Sequence, residues 1–279
     1  MTIPASTPIF TLGPQGTFSD EAAQLICGPE TRLSYTRTFV ETFQKLEDHP
    51  EALAVLPIEN SVAGMVDQVQ ELLVSKNSII LGEINLLIRY ALISNCPYEQ
   101  VERVFTHPQA FEQTIDFSSK NFPDAKPTFT NSNTDSGVQF LDVMHEKPGS
   151  VAIVPIGFAQ KFPEWHVASD IQDYPNNTTR FMVFRKRKTG DLMDFSCKKT
   201  SLFVEFSEDH SGMLYEMLSI FKRFDINLCR LESRPSKKVP WMYVFYVDFY
   251  NSLHTPDCLS ELNEASFQHK ILGSYNILN

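Results

Sequence analysis

Two α/β units in series are what this sequence predicts, the first a sheet covered by helices and the second a ferredoxin-like βαββαβ sandwich. From Ile9 to Phe184 short apolar segments alternate with amphipathic ones, as they do where helices cover a mixed or parallel sheet. The run Arg185-Lys186-Arg187-Lys188-Thr189-Gly190-Asp191 then interrupts the pattern with consecutive cations, which reads as a solvated linker. Beyond it strand, helix, strand, strand, helix and strand patterns follow in that order.

In the first unit residues 9–12, 53–58, 79–81, 91–94, 151–155 and 181–184 predict strands, being short, apolar and rich in β-branched or aromatic side chains. Helical spacing predicts helices over 40–46, 66–74, 108–117 and 136–144. Two strand ends echo one another, Ala54-Val55-Leu56-Pro57-Ile58 and Ala152-Ile153-Val154-Pro155-Ile156. Such a short match fits either an internal repeat or convergent strand-to-helix chemistry. In the second unit strands are expected at 201–206, 226–232 and 242–249, helices at 211–224 and 258–268, and a final apolar tail at 275–278. Met213, Leu214, Met217, Leu218, Phe221 and Phe224 recur at helical spacing and form a core stripe. A sandwich of this kind leaves strand edges free, which favours pairing with a second copy.

The chain has 279 residues, 42% of them hydrophobic, enough for a sizeable core in one large or two ordinary domains. With 24 Lys and Arg against 34 Asp and Glu, its formal charge of -10 opposes general binding to nucleic acid or an anionic membrane. The first seven residues lack the basic and apolar regions of a signal peptide, and residues 79–93 are broken by Glu83 and Arg89. A soluble, unexported, cytoplasmic protein is the expectation. Five scattered cysteines without a C-x-x-C pair predict neither a disulfide framework nor a zinc site.

Candidate chemistry lies in four motifs. Pro175-Asn176-Asn177-Thr178-Thr179-Arg180-Phe181 places a hydroxyl beside a permanent cation at a strand start, a pairing that suits an anionic substrate. Gly13-Pro14-Gln15-Gly16-Thr17-Phe18-Ser19 leads from a strand into a helix over 20–26, with Ser19 placed as N-cap. A similar strand end runs through Pro57-Ile58-Glu59-Asn60-Ser61-Val62-Ala63-Gly64, where Gly64 permits close backbone approach and Glu59 either orients donors or acts as an acid. His107-Pro108-Gln109 sets an imidazole and an amide at a helix start, and the absence of a second ligand at suitable spacing argues against a metal. Singly, each is an ordinary edge, capped turn or structural histidine. Because residues 1–196 carry 15 Lys and Arg against 24 Asp and Glu, an anion must be held by local donors rather than by the overall field.

Taken in order, these motifs with Glu232-Ser233-Arg234-Pro235 resemble those of the prephenate dehydratase family, from about Phe10 to about Phe249. The resemblance implies conversion of prephenate to phenylpyruvate, water and carbon dioxide without cofactor or metal. It implies a catalytic domain over 1–190, of periplasmic-binding-protein type, with one lobe from 1–82 plus 168–188 and another from 83–167. By similarity Thr179 is the residue on which activity depends, donating to the leaving hydroxyl or organising that donor; Arg180 suits the grip on a carboxylate, and a positioned water or Glu59 completes the proton path. Thr17, Ser19, Asn60, Ser61, Gly64, His107, Gln109, Ser132 and Phe181 match motifs that line the family's cleft. Residues 197–279 look like an ACT domain, a regulatory module. Phenylalanine would bind there near Gly212, Met213, Leu214, Asn227, Leu228, Glu232, Ser233, Arg234 and Pro235, in a homodimer or homotetramer.

This chain departs from the family's usual pattern at four places. Asn133 stands where a threonine is common, Pro155 where a serine is expected, and Met213 and Tyr215 are bulkier than usual. These changes touch substrate preference and regulation more than reaction class. Arogenate as substrate, a binding protein without turnover, and a decarboxylase that omits dehydration are the competing readings.

Overall fold

Both lobes of the first unit contain strands that run into hydroxyl-capped helices, the caps being Thr17 and Thr38 in one and Ser132 in the other. The computed structural model describes residues 6–28, 31–206 and 210–278. Residues 1–5, which carry part of the reading of the N-terminus, lie outside them. The first lobe contains β1 (Ile9–Leu12), α1 (Phe18–Gln24), β2 (Leu33–Thr36), α2 (Phe39–Asp48), β3 (Leu53–Asn60), β4 (Gly64–Met65), α3 (Asp67–Ser75) and β5 (Ser78–Leu87). The second contains β6 (Tyr90–Ser94), β7 (Arg103–Thr106), α4 (Pro108–Glu112), α5 (Ile115–Asn121), β8 (Lys126–Phe129), α6 (Asn133–Val143), β9 (Ser150–Pro155), α7 (Ile156–Ala159) and β10 (His166–Ser169). The chain then returns to the first lobe as β11 (Thr178–Lys186).

The strand orders match. In the first lobe β2, β1 and β3 are parallel and β11 joins β3 antiparallel; in the second β8, β7 and β9 are parallel and β6 joins β9 antiparallel. β3 and β9 therefore hold equivalent places, and the Ala-Val-Leu-Pro-Ile echo is an internal repeat. Pro57 lies opposite Phe181, and Pro155 opposite Tyr90. Two further pairs fall into register. Gly13-Pro14-Gln15 and His107-Pro108-Gln109 follow β1 and β7. Thr36-Arg37-Thr38-Phe39-Val40-Glu41-Thr42 and Thr130-Asn131-Ser132-Asn133-Thr134-Asp135-Ser136 follow β2 and β8. Both of the latter segments are capped alike: Thr38 accepts from Glu41 N and Ser132 from Asp135 N, while Thr36–Thr42 and Thr130–Ser136 hydroxyl pairs, 2.6 and 2.8 Å long, brace the turns.

The C-terminal unit runs β12 (Lys199–Phe206), α8 (Met213–Arg223), β13 (Leu228–Pro235), β14 (Tyr243–Tyr250), α9 (Thr255–Glu264) and β15 (Phe267–Ile277), in the sheet order β13-β14-β12-β15. This is the expected βαββαβ sandwich. Its helices bury Met217, Phe221, Leu259 and Leu262 against Val247 and Phe249. The opposite face presents Val244, Tyr246, Leu272 and Tyr275 to Phe43, Leu73 and Phe184 of the first lobe. Asn276 and Ile277 pair in parallel with Gly82 and Glu83 of β5, so one ten-stranded sheet passes through both units.

Several expectations are corrected. The helix expected over 108–117 is two helices, because the Thr114 hydroxyl donates to Ala110 O at 2.8 Å where the first one ends. The last helix stops at Glu264, and Ser266 at φ 64° turns the chain into a strand that includes the whole apolar tail. β2, β8 and β10 are partly exposed strands without apolar runs. The lobe boundaries move because β5 continues to Leu87 beside β11, and β10 belongs with β6. The crossings are thus at residues 88–89 and 170–177. The basic run is also no free linker: Arg185 and Lys186 extend β11, with Arg185 paired to Asp191 at 2.7 Å and Lys186 to Glu47. Among the described residues no helix is long and apolar enough to cross a membrane.

Candidate active site between the lobes

A cavity of about 460 Å³ lies between the two lobes. The repeat explains its lining, since equivalent strand ends face one another across it. The first lobe supplies Thr17, Ser19, Arg37, Phe39, Asn60, Thr179 and Phe181, and the second supplies His107, Gln109, Asn131, Ser132 and Asn133. Thr17, His107 and Ser132 are the N-caps of α1, α4 and α6. Their helices aim free N–H groups and positive dipole ends toward one volume. Ser19, expected as the first cap, instead lies within α1; Thr17 Oγ1 accepts from Asp20 N at 3.3 Å. The turn before it needs Gly16 at φ 89°, a conformation that disfavours side chains.

At the centre is Thr179, 8% exposed and directly opposite Asn60 in the β3–β11 pair. Asn60 Oδ1 accepts from Val62 N at 3.0 Å and Ala63 N at 2.8 Å, which fixes which way its amide points. Its Nδ2 must then donate, to Thr179 Oγ1 at 2.8 Å and to Asn177 Oδ1 at 2.7 Å. Asn177 in turn donates to Gln113 Oε1 at 2.9 Å. Because Thr179 Oγ1 already accepts a hydrogen bond, its own proton is free to be donated. Ser61 supports this arrangement from outside the cavity lining, accepting from Thr178 N at 2.9 Å.

His107 is similarly defined. Burial holds its pKa below the ordinary 6.5, so the ring is neutral at neutral pH. Gln109 N donates to Nδ1 at 3.3 Å, which leaves the ring proton on Nε2 as a donor. Arg37 lines the cavity and makes no ion pair among the described residues. It is the cation that sequence reasoning missed; the match between its segment and 130–136 could have found it. Phe18, Phe39, Phe181, Leu12 and Val66 give the cavity apolar walls suited to a ring.

Arg180 and Glu59 are not part of this lining. Alternate residues of a strand face opposite sides, so Arg180 points away from Thr179, toward the C-terminal unit. There its guanidinium contacts Glu59 at 2.6 Å, Glu83 at 2.7 Å and Asp248 at 3.0 Å. This arrangement lends no support to the expectation that Arg180 grips a substrate carboxylate and Glu59 feeds a proton, since the two pair with one another outside the cavity lining. Gly64, at φ 82°, is exposed at the start of β4 and also lies outside the lining. Pro155 is buried beside Tyr90 rather than in the cavity wall, whereas Asn133 lines it.

The expected effector residues divide in a single chain. Gly212, Met213 and Leu214 line a hollow of about 220 Å³ with Phe206, Tyr215 and Tyr243. Ser233 pairs with Phe245, which lines the same hollow. Glu232 and Arg234 face the other way, Arg234 pairing with Glu232 at 2.5 Å and with Asp67 of α3. Arg234 and Pro235 there line a second cavity, of about 250 Å³, with Val74, Phe203 and Tyr246. Asn227 is exposed before β13, and Leu228 opens that strand, which is the free edge of the sheet.

Comparisons with known proteins identify the family and the fold. The family model described as prephenate dehydratase matches residues 9–189. A bifunctional chorismate mutase/prephenate dehydratase of Aquifex aeolicus is 32% identical over 271 residues, 95% of this chain and 72% of that protein. A prephenate dehydratase of Methanocaldococcus jannaschii is 30% identical over 279 residues, covering 97% of this chain and 98% of that one. The crystal structure of the prephenate dehydratase from Staphylococcus aureus superposes with a TM-score of 0.82 at 26% identity, over 97% of this chain and 100% of that one. That from Arthrobacter aurescens, solved in complex with L-Phe, gives 0.83 at 27% identity, over 98% and 90%. A two-lobed fold shared over nearly its whole length, and a family match spanning both walls of the cleft, place this chain in the prephenate dehydratase family.

Proposed function

We propose that the interlobe cleft converts prephenate to phenylpyruvate, with Thr179 as the proton donor. The observation that carries this reading is the fixed Asn60 amide, which leaves the Thr179 hydroxyl proton free inside an apolar-walled, donor-rich cavity. In the reaction the ring carboxylate leaves as carbon dioxide, its bonding electrons move through the ring, and the hydroxyl on the far carbon departs. A hydroxide is a poor leaving group, so a proton delivered to that oxygen lowers the barrier. Asn60 donation to Oγ1 stabilises the negative charge that develops there. The aromatic ring formed supplies the driving force. Arg37, the α6 N-terminus with Ser132 and Asn133, and His107 Nε2–H hold the two carboxylates in that geometry.

Purified protein mixed with prephenate at neutral pH is expected to release phenylpyruvate, read by its absorbance in alkali. Turnover of arogenate alone would reassign the substrate, and binding of prephenate without product would make the protein a sensor. Arg37→Ala is expected to raise KM about tenfold or more with a smaller change in kcat, as loss of a charged hydrogen bond to a carboxylate does. An unchanged KM would remove Arg37 from the site.

The C-terminal residues 197–279 fit the role of an ACT domain that binds L-phenylalanine where two copies pair along the β13 edge. In support, the Arthrobacter aurescens relative was solved with L-Phe, and the hollow behind Gly212 reaches the sheet face that carries Ser233. Pairing in this way gives a homodimer, or a homotetramer of two such pairs, in the cytoplasm. Titration calorimetry is expected to show phenylalanine binding, and no heat at millimolar effector would remove this claim.

A further inference from the structure

Strand β11 presents two different chemistries on its two faces. Thr179 and Phe181 face the cleft, while Arg180 between them reaches three carboxylates. Glu59 and Glu83 belong to the lobe that carries Arg180; Asp248 comes from β14 of the C-terminal unit. Asp248 is 1% exposed and is itself held from several sides. Ser201 Oγ donates to its Oδ1 at 2.6 Å and bonds the Tyr275 phenol at 2.7 Å, while Arg230 lies 3.6 Å from Oδ2. Lys199 Nζ, also from the C-terminal unit, sits 2.8 Å from Glu83. Arg180, Lys199 and Arg230 thus face Glu59, Glu83 and Asp248, with Arg230 shared with Glu232 at 2.9 Å.

A buried ion cluster between two units ordinarily reads as attachment, yet its place on the strand gives it a second consequence. The β3–β11 register shifts between Arg180 and Phe181, and Phe181 is opposite Pro57, which has no N–H to give. On the β3 side, backbone pairing is interrupted one residue away from the reacting threonine. On its other side β11 pairs without a break with β5 from Thr178 to Val183, and the Arg180 side chain adds an anchor on the face turned away from the cleft. A displacement of Asp248 moves Arg180 and with it Thr179, and a misplacement of about 1 Å in a reacting group costs about 10²-fold in rate.

We infer that Asp248 is a positioning residue for the cleft: through Arg180 it keeps the Thr179 hydroxyl aligned with the departing hydroxyl of the substrate. This rests on the reading of the cleft given above and extends it to a residue of the other unit. Full-length protein is used for the test, with prephenate turnover measured in water and in deuterium oxide and circular dichroism reporting the folded fraction. Asp248→Asn, which keeps the shape and removes the charge, is expected to lower kcat about tenfold with KM within about twofold, and to raise the solvent isotope effect on kcat. Ser201→Ala, which removes one hydrogen bond from Asp248 and leaves every charge in place, shifts both quantities the same way, with kcat down about threefold.

The isotope effect is a ratio of rates and does not depend on how many molecules are folded, so a purely stabilising carboxylate would leave it at the wild-type value. Ser201→Ala with wild-type kcat and isotope effect, or folded Asp248→Asn with both unchanged, would overturn the inference. A wild-type protein that makes no phenylpyruvate would overturn instead the reading of the cleft on which it rests.

Discussion

Thr179→Val is expected to lower kcat by about 10²–10⁴-fold while KM for prephenate changes little, the range for loss of a positioned proton donor. Valine has nearly the shape of threonine, and β11 favours a β-branched residue, so the strand is retained. Only the hydroxyl is lost. Asn60 Nδ2 loses one of its two acceptors but keeps Asn177 Oδ1, 2.7 Å away, which limits the structural cost. A binding role would appear in KM and a donor role in kcat. Steady-state kinetics with stopped samples of phenylpyruvate separates them, and a Thr179→Val enzyme within tenfold of wild-type kcat would move the proton donor elsewhere.

Arg180→Met is expected to cost about 3–5 kcal/mol of stability, because it strips the cation from buried carboxylates and leaves them unpaired. The sequence places Arg180 beside Thr179 and suggests a substrate contact, whereas in the structure its guanidinium lies among the carboxylates of Glu59, Glu83 and Asp248. Urea denaturation followed by circular dichroism measures it, and the pH dependence identifies its source. Burial pushes the pKa of Glu83 and Asp248 up, but Arg180 and Lys199 around Glu83, and Arg230, Arg180 and Ser201 around Asp248, outweigh it, so both end below their ordinary 4.5 and 3.8. Groups depressed in the folded state contribute stability that is complete above their unfolded values and is lost as pH falls through the folded ones. The gap between wild type and Arg180→Met should therefore be widest near neutrality and narrow in acid. A gap that stays constant from pH 7 to below pH 4 would show that the ion cluster is not its cause.

How far the sequence reveals this molecule depends on where the physics is local. Capped helices and buried strands announce themselves: Ser132 with Asp135, and the run Ala152-Ile153-Val154, need no partner to be recognised. β8 and β10, with burial alternating or nearly absent, carry no such signal and become visible only against their neighbours. The cleft was mostly legible because each lobe places its polar groups at strand ends, where Thr17, His107, Asn60 and Thr179 sit. Arg37 was hidden, since a single arginine before a helix is unremarkable until its segment is laid over 130–136. Arg180 and Glu59 misled for a different reason. Adjacent residues in a strand share a motif and face opposite ways, so proximity in sequence to Thr179 says nothing about proximity to its substrate.

The way β15 pairs with β5 makes the protein unequal about its own cleft. The first lobe and the C-terminal unit share one sheet and one apolar seam, while the second lobe keeps a separate sheet and meets the first through two crossings and an apolar core that includes Ile84, Tyr90 and Val151. Thr179 and Asn60 belong to the larger body, and His107, Gln109 and Ser132 to the smaller one, so the proposed proton donor and the groups proposed to hold the carboxylates stand on different halves of the molecule.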